Sequence, residues 1–486
     1  MRIFTPVYLK VMHGLLVVAL VLGFAGVQSV QQAAAAPTAF TTQHNEVIPT
    51  LTGKNADALC AKGQIQIPEE ECNALAALYN GTDGSNWTNK SGWLETNTPC
   101  AWYGVTCIDG HVIGLSLYKN KLSGTIPPSL GKLTNLSWLL LGYNQLTEKI
   151  PSELGSLTSL TKFDLSWNEI NERIPDWLGN LTNLDYLDLT GNQFTGKVPT
   201  QFGKLTNLKA LFLGNNQLSG TIPSVLGNLI NLADLNLSDN QFSGTLPPEL
   251  GKLTNLQSLS LSGVSDGSIP NWVFNLTKLK RLLVRGDIGT NIPSQVQTLA
   301  GLTFLDLGNS LSGQIPDWLG NMKNLTYLNL SRNMLNGSIP AQCSSLTNLT
   351  WLNLSHNQLT GTIPSWLGSL TNLQYLYLDN NQIAGVVPSE FGKLTKMKGL
   401  MLGFNQLTGS IPSELGGLEK LTTLDLSSNH FSGEIPLSII KLVNLGNLDL
   451  GYNNLTSKNT TVVSYLAQKD KSWKDTQESS NGSNGG

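Results

Sequence analysis

Four aromatic residues recur at a near-constant spacing in this 486-residue chain: Phe304, Tyr327, Trp351 and Tyr375 stand 23 or 24 residues apart, each directly before a Leu. Tyr377 lies beside the last of them, Arg281 and Arg285 precede the first, and Arg332 lies among them. Flat rings offer large contact area at low entropic cost and are enriched at binding hot spots. Arginines suit carboxylates. Asp306, Asn329 and Asn353 sit two residues after successive rings, in an expected second exposed column where they would suit sugar hydroxyls. The competing reading is that the rings stack only to stabilise a sheet. Catalysis finds no support. His111, His356 and His430 are isolated, carboxylates occur singly around the repeat, and Cys343 has no His near it in the repeat frame. No metal-ligand spacing, phosphate loop or nucleophile elbow is present. The expectation is binding without catalytic, metal or cofactor residues.

The spacing follows from a repeat. Residues 349–372, LTWLNLSHNQLTGTIPSWLGSLTN, are followed by LQYLYLDNNQIAGVVPSEFGKLTK with Leu, Asn, Gly and Pro at matching offsets. In Leu349–Leu354, Leu352 and Leu354 alternate with Trp351 and Asn353, the signal of a short strand with one buried face. Asn357 stands at the bend, where its amide can bond backbone groups that a turning chain leaves unpaired, so stacked copies form a ladder. Gly361 permits a tight backbone, and Pro364 falls where no donor is needed. Leu367 and Leu370 close the coil from the far side. One such unit cannot bury its leucines alone, so neighbours must stack.

Fifteen units begin at Val112, Leu136, Leu160, Leu184, Leu208, Leu232, Leu256, Leu279, Leu302, Leu325, Leu349, Leu373, Met397, Leu421 and Leu445. The steps are 24 residues, except 23 at those beginning with Leu256, Leu279 and Leu302. There Val264 and Asp287 replace the ladder Asn, and Asn309 comes one residue early, so local irregularity is expected around residues 261–310. Stacking aligns equivalent positions. The residue before the second strand Leu therefore forms one exposed column, and Phe304, Tyr327, Trp351 and Tyr375 are adjacent in it. At about 4.8 Å per strand the rings would cover about 14 Å. Trp177, Trp318 and Trp366, in Ile-Pro-x-Trp-Leu-Gly, fall on the outer side as packing residues.

The ends differ. Arg2 and Lys10 precede an apolar run, Gly14–Val27, which is followed by small residues at Ala33–Ala36, the order of a secretory signal over 1–36. An uncleaved anchor is the alternative, and no later stretch suits a membrane crossing. Residues 37–64 read as a flexible lead-in. Four of the five Cys precede the repeats, so an exported chain would hold two disulfides among Cys60, Cys72, Cys100 and Cys107. Three pairings are possible, and local closure favours Cys60–Cys72 with Cys100–Cys107. Cys343 replaces a core Leu and reads as a buried free thiol. Pro68 and three acids open a helix through about Tyr79, and Trp87, Trp93 and Trp102 are placed to cover the first repeat. Residues 458–477 read as a C-terminal helical cap through Val462, Val463, Tyr465 and Leu466, and residues 478–486 as a disordered tail. Lys plus Arg (30) nearly balance Asp plus Glu (33), which makes no case for nucleic-acid or membrane-surface binding. Sequons are frequent, including Asn86, Asn135, Asn180, Asn324 and Asn348, because Leu-Thr-Asn-Leu-Thr belongs to the repeat.

LSGTIPPSLGKL at 122–133 and LTGTIPSWLGSL at 359–370 resemble the plant-type subclass of leucine-rich repeats, and CAWYGVTC at 100–107 resembles its N-terminal cap. The resemblance covers roughly residues 65–455, as a cap over 65–111 and repeats over 112–457. It is shared with extracellular regions of receptor-like kinases and receptor-like proteins, polygalacturonase-inhibiting proteins, and secreted bacterial and algal relatives. It implies an α/β-type repeat solenoid: a right-handed superhelix with a concave parallel β-sheet and a helical, disulfide-stapled cap. The plant cap usually carries a Cys-Cys pair where this chain has Cys100 alone, which points toward the bacterial and algal relatives. The expected function is a secreted or cell-surface recognition protein, not an enzyme, that binds a protein or peptide on its concave face. The partner-binding residues would be Arg281, Arg285, Phe304, Tyr327, Trp351, Tyr375 and Tyr377. A cell-wall or matrix polysaccharide binder using the same strip is the alternative.

Overall fold

Each of the first fourteen repeats places a short strand on one side of the coil and a five-residue 3₁₀ turn on the other; the last runs into the α-helix Thr460–Lys469. In the strand Trp351–Asn353, Leu352 is buried along with Leu354 just beyond it, while the next turn, Ser365–Ser369, buries Leu367. Pro364 stands directly before that turn and its carbonyl accepts from Leu367 N at 3.1 Å, so the proline both ends the coil's edge and starts the 3₁₀ turn. Gly361 has φ +80°, a conformation that costs glycine nothing. This computed structural model describes Cys60 and residues 66–264, 267–470 and 472–477. The signal expected over 1–36, most of the lead-in and the tail at 478–486 lie outside the described residues.

The strands join into one 16-stranded sheet. Its first strand, Val105–Ile108, pairs antiparallel with His111–Ser116. The connecting Asp109 and Gly110 have φ of 51° and 77°, the Asp-Gly signature of a tight hairpin. From His111–Ser116 to Asn447–Asp449 all neighbours are parallel and ordered along the chain, one strand per repeat. Short secondary sheets, such as the one containing Gln406–Gly409, line the coil beyond the Asn bend. The result is the right-handed solenoid with its long parallel sheet on the concave side. Its core is a continuous column of buried Leu, Ile, Val and Phe.

The Asn ladder holds the bends. Asn357 Oδ1 accepts from Leu335 N in the preceding coil at 3.0 Å. Its Nδ2 donates to the carbonyls of Leu330, Leu354 and Ser355 at 2.9, 3.1 and 3.2 Å. One amide thereby satisfies backbone groups of two coils, which buried polar groups require.

The region of 23-residue steps is irregular in a definite way. Its strands lengthen to Ser258–Val264, Arg281–Gly286 and Phe304–Gly308, against three residues for most others, and register shifts between Ser262 and Val264. Without an Asn to turn it, the chain stays paired with its neighbours further along. Asn309 does not fill the ladder: Ser310 does, its Oγ accepting from Ile288 N at 3.0 Å.

Both ends are covered. The helix Glu69–Gly81 buries Leu75, Leu78 and Tyr79. Trp87, Trp93 and Trp102 are buried beside it, and Tyr79, Trp87 and Trp93 contact one another at centroid distances of 4.9 to 6.1 Å. Disulfides join Cys60 to Cys72 and Cys100 to Cys107. His111 is not isolated. Its Nδ1 lies 2.7 Å from Oε1 of buried Glu71, whose Oε2 accepts from Val112 N at 2.8 Å, tying the helix to the first repeat. At the other end, the helix Thr460–Lys469 is capped by the Asn459 side chain, which accepts from Thr461 N and Val462 N. Val462 and Leu466 are buried, whereas Val463, expected on the apolar face, is exposed. Gln477 completes the ladder beyond the last Asn: its Oε1 accepts from Leu455 N at 2.9 Å and its Nε2 donates to Leu450 O at 3.0 Å. Cys343 is a buried free thiol pushed up to about 12 by burial and then by Asp317.

Candidate binding site

Parallel pairing places Phe304 opposite Tyr327, Tyr327 opposite Trp351, and Trp351 opposite Tyr375. The column of rings is continuous. Phe304 and Tyr327 stack at 4.1 Å, Tyr327 and Trp351 at 5.6 Å, and Trp351 and Tyr375 meet at 4.6 Å. Tyr377 lies 4.9 Å from Trp351 and parallel to Tyr375 at 6.3 Å. The strip ends at Gly399, where a Cβ would come within 2.8 Å of the Tyr375 ring.

The rings are less open than an outward-pointing column implies. Phe304 is 5% exposed and Trp351 8%, because each is pressed between neighbouring side chains; Tyr327, Tyr375 and Tyr377 keep more surface. Trp351 Nε1 is buried and, among the described residues, has no hydrogen-bond partner. Leaving such a donor unpaired costs about 1–3 kcal/mol.

The arginines divide. The Arg281 guanidinium lies 4.1 Å from the Phe304 centroid, a cation–π contact at the end of the strip. Burial lowers its pKa, opposed by Tyr327 and Asp234. Arg285 is committed elsewhere: Nη2 and Nε donate to Asp306 at 2.9 and 3.3 Å. It reaches across Gly308, its partner in the lengthened pairing. Arg332 is exposed at a turn with φ +57°.

The second column is not exposed. Asp306, Asn329 and Asn353 are buried and already bonded. Asn329 Nδ2 donates to Asp306 Oδ2 at 2.9 Å, and Asn353 Oδ1 accepts from Ser355 N at 3.0 Å. These side chains share the rings' face of the sheet, two residues further along each strand, and as buried groups they need their polar atoms paired. His356 is likewise not isolated: its Nε2 is 3.8 Å from Asp379 Oδ2, and burial first and Arg332 second lower its pKa. Trp177, Trp318 and Trp366 pack half-buried against the core.

Known families match most of the chain. A leucine-rich-repeat N-terminal domain matches residues 68–108, and a leucine-rich-repeat region matches 214–333. Further leucine-rich-repeat matches fall at 111–133, 135–157, 158–218, 324–346, 347–394 and 371–431. A solved leucine-rich-repeat protein of Leptospira interrogans is 30% identical, with 74% of this chain and 95% of that one covered at a TM-score of 0.56. The chain therefore belongs to the leucine-rich-repeat family, and its repeats and cap are of the plant type. The TDR receptor is 35% identical over 70% of this chain and 60% of its own, TM-score 0.61. The plant peptide hormone receptor RGFR1, solved with RGF2, is 32% identical over 72% of this chain and 64% of its own, TM-score 0.52. The receptor protein-tyrosine kinase CEPR2 of Arabidopsis thaliana is 44% identical over 73 residues, which are 15% of this chain and 7% of that kinase.

Proposed function

We propose that this chain is an extracellular recognition protein, not an enzyme, which binds a protein or peptide partner on its concave face through Phe304, Tyr327, Trp351, Tyr375 and Tyr377, with Arg281 at one end. The carrying observation is the unbroken ring column across four adjacent strands. Support also comes from similarity to RGFR1, a peptide hormone receptor, and from paired disulfides, which suit an oxidising compartment. Among the described residues no helix is long and apolar enough to cross a membrane. Arg285 belongs to the site as a support, holding Asp306 beside the strip. Polysaccharide binding has weaker support, because the polar groups meant for sugar hydroxyls are buried and paired.

The test is a pull-down from exported proteins beside a gel-shift panel of cell-wall polysaccharides, on the wild type and on Trp351→Ala with Tyr375→Ala. Loss of a captured protein or peptide with the fold intact by circular dichroism is the expected result. Unchanged capture in that variant ends the strip reading, and a polysaccharide shift lost in the variant favours the alternative.

A further inference from the structure

The open positions of the ring strip recur on every second strand. Arg281, Phe304, Tyr327, Trp351 and Tyr375 are successive register partners. Phe304 and Trp351 are buried, whereas Arg281, Tyr327 and Tyr375 keep part of their surface. The concave face therefore presents a cation, a ring and a second ring, each two strand steps from the next, or about 9.6 Å at 4.8 Å per step. The recessed rings fill the floor between them: Phe304 stacks on Tyr327 at 4.1 Å, and Trp351 meets Tyr375 at 4.6 Å.

Two groups on this column are unpaired among the described residues. The Arg281 guanidinium lies over the Phe304 ring but makes no ion pair. Arg285, by contrast, is neutralised by Asp306, and the next carboxylate on the column itself, Asp234, is two strand steps further upstream. The second group is Trp351 Nε1, a buried donor with no acceptor, on the strand between those of the two open tyrosines.

We propose that the strip takes a proline-rich segment in the polyproline II conformation, lying across the strands with prolines on Tyr327 and Tyr375 and an acidic residue on Arg281. This names the ligand class of the strip and rests on the strip being the binding surface. A polyproline II helix returns to the same face every three residues, about 9.3 Å. Over the two intervals from Arg281 to Tyr375 it departs from the strand spacing by about 0.6 Å. An α-helix repeats its face at about 5.4 Å and an extended strand at about 6.7 Å, so neither sets successive side chains of one face on the three open positions. Aromatic-lined grooves suit such segments, which are ordered before they bind. The carbonyls of a polyproline II chain have no internal partner, and one between the two prolines accepts from Trp351 Nε1 as the side chain covering that atom turns aside. The charge of Arg281 fixes the remaining position, an acid three residues from the nearer proline.

Isothermal titration of the full chain with three acetylated and amidated peptides tests this. The first has six prolines with Glu at each end, which offers the spacing in both chain directions; the second has Gln in place of both Glu; the third keeps both Glu around a flexible Gly-Ser run. The first should bind about tenfold more tightly than the third and several-fold more tightly than the second. Arg281→Gln should erase the difference between the Glu and Gln peptides while leaving the affinity for the Gln peptide unchanged, a pattern that loss of fold does not produce. Tyr375→Ala should weaken both proline peptides about tenfold, and Trp351→Phe, which keeps a ring but removes the donor, several-fold. Equal binding of the proline and Gly-Ser peptides, no binding of the first at millimolar concentration, or proline-peptide binding that survives Tyr375→Ala overturns the proposal. Capture of a protein partner that is lost in Trp351→Ala with Tyr375→Ala, while no proline peptide binds, overturns this ligand class and leaves the strip standing as the binding surface.

Discussion

Removing the Asn405 side chain would strand one donor and three acceptors at once. Ile383 N donates to its Oδ1 at 3.0 Å, and its Nδ2 donates to Leu378, Leu402 and Gly403 carbonyls at 2.9, 3.1 and 3.2 Å. Asn405 is buried, so water cannot replace it freely. Asn405→Ala should therefore destabilise the fold by about 2–3 kcal/mol, read as a fall in the urea midpoint. An unchanged midpoint would show that the ladder amides contribute little. The role of this Asn is visible in the sequence because it recurs at one offset. Ser310 and Gln477 do the same work from outside that pattern, and only the coil geometry shows it. The Glu71–His111 contact spans 40 residues and follows no repeat, so spacing had nothing to say about it.

Among the elements, the strands under the ring strip set how the rings meet. Gly399 follows Tyr375 in the column, and its bare Cα leaves room for the Tyr375 ring. Its φ is not among the positive values, so alanine suits the backbone. Gly399→Ala should push Tyr375 away from Trp351 and alter the near-ultraviolet circular dichroism. It should weaken capture of a strip-binding partner several-fold while changing stability by about 1 kcal/mol or less. Full capture despite a changed aromatic spectrum would mean that the partner does not use the Tyr375 end. The lengthened strands upstream act likewise on the arginines. Pairing that continues through Arg285 and Gly308 gives Arg285 a path to Asp306. A missing ladder Asn thus has a structural consequence beside the strip, which the 23-residue spacing alone announced only as irregularity.

For the whole molecule, stability is a sum of coils and of contacts between adjacent coils, with caps protecting the ends. A chain ending at residue 457 would lose the helix Thr460–Lys469, the Asp470 carboxylate that accepts from Leu450 N at 3.0 Å, and Gln477. Hydrogen exchange should then quicken in Asn447–Asp449 and next in Thr423–Asp425, while the strands near Trp138–Leu140 keep their protection. Uniform loss along the sheet would instead mean that the solenoid unfolds as one unit.

What the sequence determined by itself was the periodic part: the solenoid, its ladder, the number of coils and the column that holds Phe304, Tyr327, Trp351 and Tyr375. A strict repeat stacked in register makes sequence offset equivalent to spatial position. The tertiary structure decided what each column residue faces. Phe304 and Trp351 sink between their neighbours, Arg285 turns to Asp306 while Arg281 lies on a ring, and buried Asp164 accepts from Ser166 N. Those outcomes depend on side-chain rotamers and on burial by residues about 24 positions away in either direction. The offset fixes which strands are adjacent, but close packing and the need to pair buried charge settle where each side chain goes.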